Sequence, residues 1–130
     1  MNNEVLSRLR VDYPELRFIV GKRDAFRPPK TIIVDPNGSS LSLLHEVGHA
    51  LCHHRTFNTA IQRLKMEREA WEKARELCRK YDVLFDDDFV EDELDSYRNW
   101  VEKKSRCPVC GLTRFQSLDG NYYCPRCDLN

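Results

Sequence analysis

Leu43-Leu44-His45-Glu46-Val47-Gly48-His49-Ala50-Leu51 carries the pattern H-E-x-x-H, and its reading decides the rest of the chain. On a helix, His45 and His49 lie one turn apart on the same face. Two imidazoles at that spacing can grip one zinc ion, with Glu46 placed to handle the proton of an activated water. The flanks agree with a buried metal helix: Leu41, Leu43, Leu44, Val47, Ala50 and Leu51 point in several directions. A helix apolar almost all round is buried, and imidazoles and a carboxylate inside it demand a reason. Gly48 and Ala50 are expected to let neighbouring elements approach closely.

Upstream, Ser39 or Ser40 caps this helix after the turn Asp35-Pro36-Asn37-Gly38. Thr31–Val34 is a β-branched run that reads as a strand. Were it the edge of the sheet, it could bind an extended peptide by adding one more strand. Lys22 to Pro29 reads as a loop or irregular edge strand, since two prolines cannot donate to a ladder. Leu16–Val20 is strand-like, and Asn3–Tyr13 is a helix stopped by Pro14.

Two histidines are too few for a catalytic zinc site, which typically has three protein ligands and one open position. Cys52 lies seven residues past His45, a rise of roughly 10 Å, and His53 lies farther still, so one helix cannot bring either to the same ion. No glycine breaks the helix to fold the chain back. The next helix, from about Asn58 to Tyr81, has an apolar stripe of Ala60, Leu64, Trp71, Ala74 and Cys78, with Ala70 and Leu77 to one side. Glu67 falls in the middle of that stripe, where a carboxylate is costly unless paired or metal-bound. Glu69 and Glu76 fall on the opposite face. Glu67 is therefore the leading third ligand, with Glu69, a residue elsewhere, or a plain Glu67–Arg63 salt bridge as alternatives.

His45-Glu46-x-x-His49 followed by Glu67-Arg68-Glu69-Ala70-Trp71-x-x-Ala74 resembles the short-spacer gluzincin metallopeptidases. These are the minigluzincins and, more distantly, the ImmA/IrrE-type peptidases; the resemblance runs from about Arg10 to Tyr81. It implies a small sheet backed by an active-site helix and a glutamate helix, with Glu67 as third zinc ligand. It also implies hydrolysis of peptide bonds in a peptide or unfolded protein, with Glu46 as general base. His53, His54, Tyr81, Tyr97 and Arg98 are candidate oxyanion donors, and the sequence does not choose among them. Some minigluzincin-type proteins are latent, with a C-terminal segment over the cleft. Eight acids and no base lie between Asp82 and Asp95, and one carboxylate there could reach the metal. The simpler reading is a helix from Phe89 to about Lys104, capped by Asp86-Asp87-Asp88 and closed by Lys103-Lys104, as the macrodipole favours.

Cys107-Pro108-Val109-Cys110 and Cys124-Pro125-Arg126-Cys127 form two knuckles separated by thirteen residues. Four thiolates so spaced give a closed tetrahedral zinc site. Leu112–Tyr123 between them reads as a hairpin turning at Asp119-Gly120-Asn121. So short a piece needs its metal to fold. Phe115, Tyr122, Tyr123, Arg114 and Arg126 could stack on bases, yet the local charge is only slightly positive. Protein docking or plain stabilisation fits as well. A protease domain followed by a ribbon is also similar to the SprT-like proteases that act on DNA-bound proteins, but those use a third histidine.

The expectation is thus an α+β chain of two parts. Residues 1–104 form a minigluzincin-like domain, and residues 105–130 a zinc ribbon. Two zinc ions are expected, one catalytic and one structural. The rival is a latent zinc protein whose ribbon binds protein or nucleic acid. The 130 residues carry 21 basic and 21 acidic side chains, so net charge favours no polyanionic partner. No apolar run approaches the ~20 residues of a membrane span, and no secretion signal is visible, so a cytoplasmic location is expected. The remaining Cys52 and Cys78 read as small buried thiols in helical patterns.

Overall fold

Ser39 starts the central helix: its hydroxyl accepts from the Ser42 N–H at 3.0 Å, satisfying one of the orphan donors of the first turn. The computed structural model describes residues 3–129 and is α+β. Its elements are α1 (Asn3–Asp12), β1 (Arg17–Val20), β2 (Ala25–Arg27), β3 (Thr31–Val34), α2 (Ser40–Leu51), α3 (Ala60–Tyr81), α4 (Asp87–Ser105), β4 (Phe115–Gln116) and β5 (Tyr122–Tyr123). These divide into two compact units. The first is the chain up to Arg55 together with Met66–Asp86; the second is Thr56–Lys65 together with the chain from Asp87 onward.

In the first unit, β1 pairs with β3 in parallel and β2 pairs with β3 antiparallel, giving the order β1-β3-β2. Alternation sends Phe18, Ile32 and Val34 inward. Thr31–Val34 is therefore the central strand, so the condition for peptide addition to it does not hold. The reason is Ala25-Phe26-Arg27. These three residues pair with Ile33, Ile32 and Thr31 just before the two prolines end the strand, so β2 takes the edge.

Helix α2 packs on β2 and β3. It buries Leu41, Leu43, Leu44, Val47, Gly48 and Ala50, as its all-round apolar pattern requires. Fully burying one such leucine contributes about 1.5–3 kcal/mol. Helix α3 crosses it at Gly48, where an added Cβ would stand 2.5 Å from the Ala70 carbonyl oxygen. Ala70 and Ala74 are fully buried on the facing side. Helix α1 buries Val5 and Leu9 and is tied to the end of α3, where the Tyr81 hydroxyl donates to Asp12 at 2.7 Å.

In the second unit, Thr59 and Gln62 form a capping box at the start of α3. The Gln62 N–H donates to Thr59 Oγ1, and the Thr59 N–H donates to Gln62 Oε1, both at 3.2 Å. Gln116 of the C-terminal hairpin accepts from the Ala60 N–H at 2.9 Å. The Arg63 guanidinium lies 5.1–5.3 Å from the ring centroids of Phe57, Tyr97 and Trp100. Helix α4 carries Asp87 and Asp88 in its first turn and Lys103 and Lys104 in its last, the charge order its dipole favours. The expected hairpin forms with Phe115 opposite Tyr123. Among the described residues, no helix is long and apolar enough to cross a membrane.

Candidate functional site

Two groups of metal-ligating side chains stand out among the described residues: Cys107, Cys110, Cys124 and Cys127, and His45, His49 and Glu67. Within each group the donor atoms all lie within 4.8 Å of one another.

The four cysteines form the ribbon. Cys107 Sγ stands 3.9 Å from Cys127 Sγ, and Cys110 Sγ stands 3.4 Å from Cys124 Sγ. Thiolates ~2.3 Å from a zinc ion stand ~3.8 Å apart in a tetrahedron, so the spacing fits the ion. The knuckle backbone favours one thiolate. The N–H groups of Cys110 and then Val109 hold the Cys107 thiol down to about 6. Gly111 follows at φ +78°, a left-handed turn that glycine adopts without steric cost. Four thiols would supply every corner of a tetrahedron around zinc, which is the mark of a structural site.

The second group is built across two helices. His45 and His49 come from one face of α2, and Glu67 comes from α3, held against α2 by the Gly48–Ala70 contact. Glu67 Oε2 stands 3.2 Å from His45 Nε2 and 2.8 Å from His49 Nε2. Ligand atoms ~2.0–2.1 Å from a zinc ion would stand ~3.4 Å apart, so Glu67 lies slightly closer to both imidazoles than it would with an ion between them. Glu67 is 6% exposed. Burial pushes its carboxyl up, but hydrogen bonds to His45 and His49 outweigh that and hold it well below the usual carboxylate range. Arg63, the alternative partner for Glu67, is instead engaged by its three rings.

Glu46 is partly buried beside the group, with its Oε2 fully enclosed. Its Oε2 has no hydrogen-bond partner among the described residues, and the nearest imidazole nitrogen, His45 Nδ1, is 3.9 Å away. Burial pushes its carboxyl up, against the opposing pull of His45 and His49. A buried carboxylate oxygen left open costs roughly 1–3 kcal/mol or more unless a proton, ion or water meets it there.

Aromatic rings back both imidazoles. Trp71 stacks on His45 with centroids 3.9 Å apart, and Phe85 meets Trp71 edge-on at 6.3 Å. Phe26 of the edge strand lies parallel to His49 at 6.1 Å. Trp71 belongs to the glutamate-helix motif, whereas the sequence did not connect Phe26 or Phe85 with the site.

Helical rise and the lack of a glycine exclude Cys52 and His53 as ligands, and neither belongs to the three-donor group; the chain nevertheless turns back after α2, and the residue it returns is His54. His53 itself takes the left-handed conformation, φ 58°. Its N–H donates to the Ala50 carbonyl at 3.0 Å, and the His54 N–H donates to the His49 carbonyl at 3.1 Å, a Schellman closure. A non-glycine residue there costs about 1–2 kcal/mol. The turn carries His54 back over α2, where its Nδ1 meets His49 Nδ1 at 2.9 Å and its Nε2 meets Glu69 Oε1 at 3.1 Å. Burial pushes the His54 imidazole down. Glu69 therefore reaches the site's periphery from a half-exposed position, although its helical angle points away from the stripe. The signal in the sequence was the His53-His54 pair directly after the helix.

The five oxyanion candidates are accounted for. His54 is bound to His49 and Glu69, and the Tyr81 hydroxyl donates to Asp12. Arg98 pairs with Glu91 and Asp95, Tyr97 lies against Arg63, and His53 is exposed at its turn. Cys52 caps α2 and is half-buried, while Cys78 is buried, which pushes its thiol up to about 11.

One family model matches the chain, described as the zinc-finger of RNA-polymerase I-specific TFIIB, Rrn7, over residues 102–128. No curated protein and no solved structure matches. The matched stretch holds all four cysteines of the closed cluster. The chain is thus a zinc-binding protein with a C-terminal zinc ribbon similar to that zinc finger.

Proposed function

We propose that the chain is a zinc-dependent peptidase of the gluzincin type, with residues 1–104 as its catalytic domain and residues 105–130 as its ribbon. One observation carries the reading. Three donor atoms from two helices converge on one point, and beside them the buried Glu46 Oε2 is left without a partner. A structural site would close itself with a fourth ligand; among the described residues this one has three. The donor set suits zinc, since two imidazoles and a carboxylate with an open position are a familiar catalytic combination. Bound there, zinc would lower the pKa of a water to roughly 7 and polarise a carbonyl oxygen.

The chain's own residues do the rest. Glu46, with one oxygen free, takes the proton of the attacking water and passes it to the leaving amine. Burial raises its affinity for that proton, which favours acceptance. Trp71 and Phe26 fix the planes of His45 and His49. The substrate class is a peptide or an unfolded protein. The test is incubation of the full chain with an unfolded protein, with and without a chelator. New N-termini should form only without the chelator; none in either arm would refute the reading.

The match over residues 102–128 favours a second reading, in which the ribbon carries the function and the three-donor group is latent. The ribbon would then dock on nucleic acid or protein. The hairpin exposes Phe115, Leu118 and Tyr123, which suits either partner. In that case the full chain would bind its partner without cleaving it.

A further inference from the structure

We propose that His54 and Glu69 are positioning residues that fix which nitrogen His49 offers to the metal. The proposal rests on the metal reading of the three-donor group. Three side chains stand in a row: His49 Nδ1 to His54 Nδ1 at 2.9 Å, then His54 Nε2 to Glu69 Oε1 at 3.1 Å. A carboxylate only accepts, so His54 Nε2 must carry the hydrogen and donate to Glu69. A neutral imidazole has one N–H, so His54 Nδ1 is bare and accepts. His49 Nδ1 must then be the donor. That leaves His49 Nε2 bare, and it is this atom that stands 2.8 Å from Glu67 Oε2. A half-exposed carboxylate two hydrogen bonds away thus sets the tautomer of a partly buried metal ligand.

The arrangement belongs to His49 alone. The corresponding nitrogen of His45 has Glu46 Oε2 3.9 Å away, beyond hydrogen-bond range. His45 is held by Trp71 instead. The pair is also built at a cost, because His54 arrives only through the left-handed His53. Glu67 and Glu69 divide the work on one helix: the first meets both imidazole Nε2 atoms, and the second anchors the support of one.

The experiment measures zinc affinity of the full chain by competition with a chelator, and the tautomer of His49 by long-range 1H–15N NMR on the zinc-loaded chain. Removing the outer partner of a ligating histidine typically lowers metal affinity 10–100-fold. His54→Leu should therefore weaken the three-donor site by about that factor and leave the ribbon zinc unchanged. Glu69 is 40% exposed, so Glu69→Ala should fold as the parent does, lower affinity about 10-fold and erase the single Nδ1–H signal of His49. Glu69→Gln keeps an acceptor oxygen and should restore most of both. If the parent binds two zinc ions and Glu69→Ala keeps the affinity within twofold and the same tautomer, the pair has no positioning role. If the parent binds only the ribbon zinc, the metal reading fails and takes this proposal with it.

Discussion

The ribbon and the three-donor group are both clusters of metal-ligating side chains, and they differ in how they are closed. In the ribbon, four donors come from two short knuckles and would supply every corner of a tetrahedron. In the other, two donors come from one helix and a third from the next, and the partly buried carboxylate beside them keeps an oxygen unpartnered. The first spends every ligand on holding the chain together. The second has three donors among the described residues and is backed by further side chains: Trp71 on His45, Phe26 and His54 on His49, and a glycine that lets the helices touch. A site built only for stability does not need such backing.

Breaking the ribbon should have the largest effect. Structural zinc in so small a module is worth on the order of 10 kcal/mol, nearly all of it folding free energy. Cys124→Ser should release one zinc and strip amide-exchange protection from β4 and β5, while zinc in the three-donor group stays. Loss of both ions would show that the two sites are not separate. Glu67→Ala comes next. Metal analysis should fall from two zinc ions per chain to one, with the ribbon's hairpin still protected; two ions remaining would remove Glu67 from the ligand set.

Gly48→Ala probes how the second group is assembled. Its new methyl would press on the Ala70 backbone, which cannot swing aside as a side-chain tip does. Forced overpacking costs about 1–3 kcal/mol, and the shift of α3 should weaken zinc binding as well as the fold. Denaturant melts and chelator competition read the two together. The smallest effect is a gain. His53→Gly removes a left-handed strain and should add about 1 kcal/mol, less the entropy glycine loses on folding. A drop in the melting midpoint would mean the turn is not strained.

The same contrast explains what the sequence disclosed. The ribbon is local, so its two C-P-x-C pairs suffice to read it. His45 and His49 follow from a four-residue step, and Glu67 from its place in an apolar helical stripe, though only the structure brings its carboxylate to both imidazoles. His54 was legible only as a candidate oxyanion donor, because its approach to His49 depends on a left-handed residue that is not glycine, and no pattern of residue types announces one. Glu69 was legible only as an alternative ligand, because its outward angle conceals the reach of its long side chain to His54. The central place of Thr31–Val34 depended on a three-residue strand, Ala25–Arg27, too short and too close to prolines to declare itself.

The central claim is that the three-donor group with Glu46 cleaves peptide bonds. The most direct measurement compares zinc-loaded parent and Glu46→Gln on one unfolded protein, counting new N-termini while zinc is assayed in both. Removing a general base costs about 10²–10⁴-fold. The account predicts cleavage by the parent, a loss of at least about a hundredfold in Glu46→Gln, and two zinc ions per chain in each. Equal cleavage by both, or none by a parent carrying two zinc ions, would contradict it.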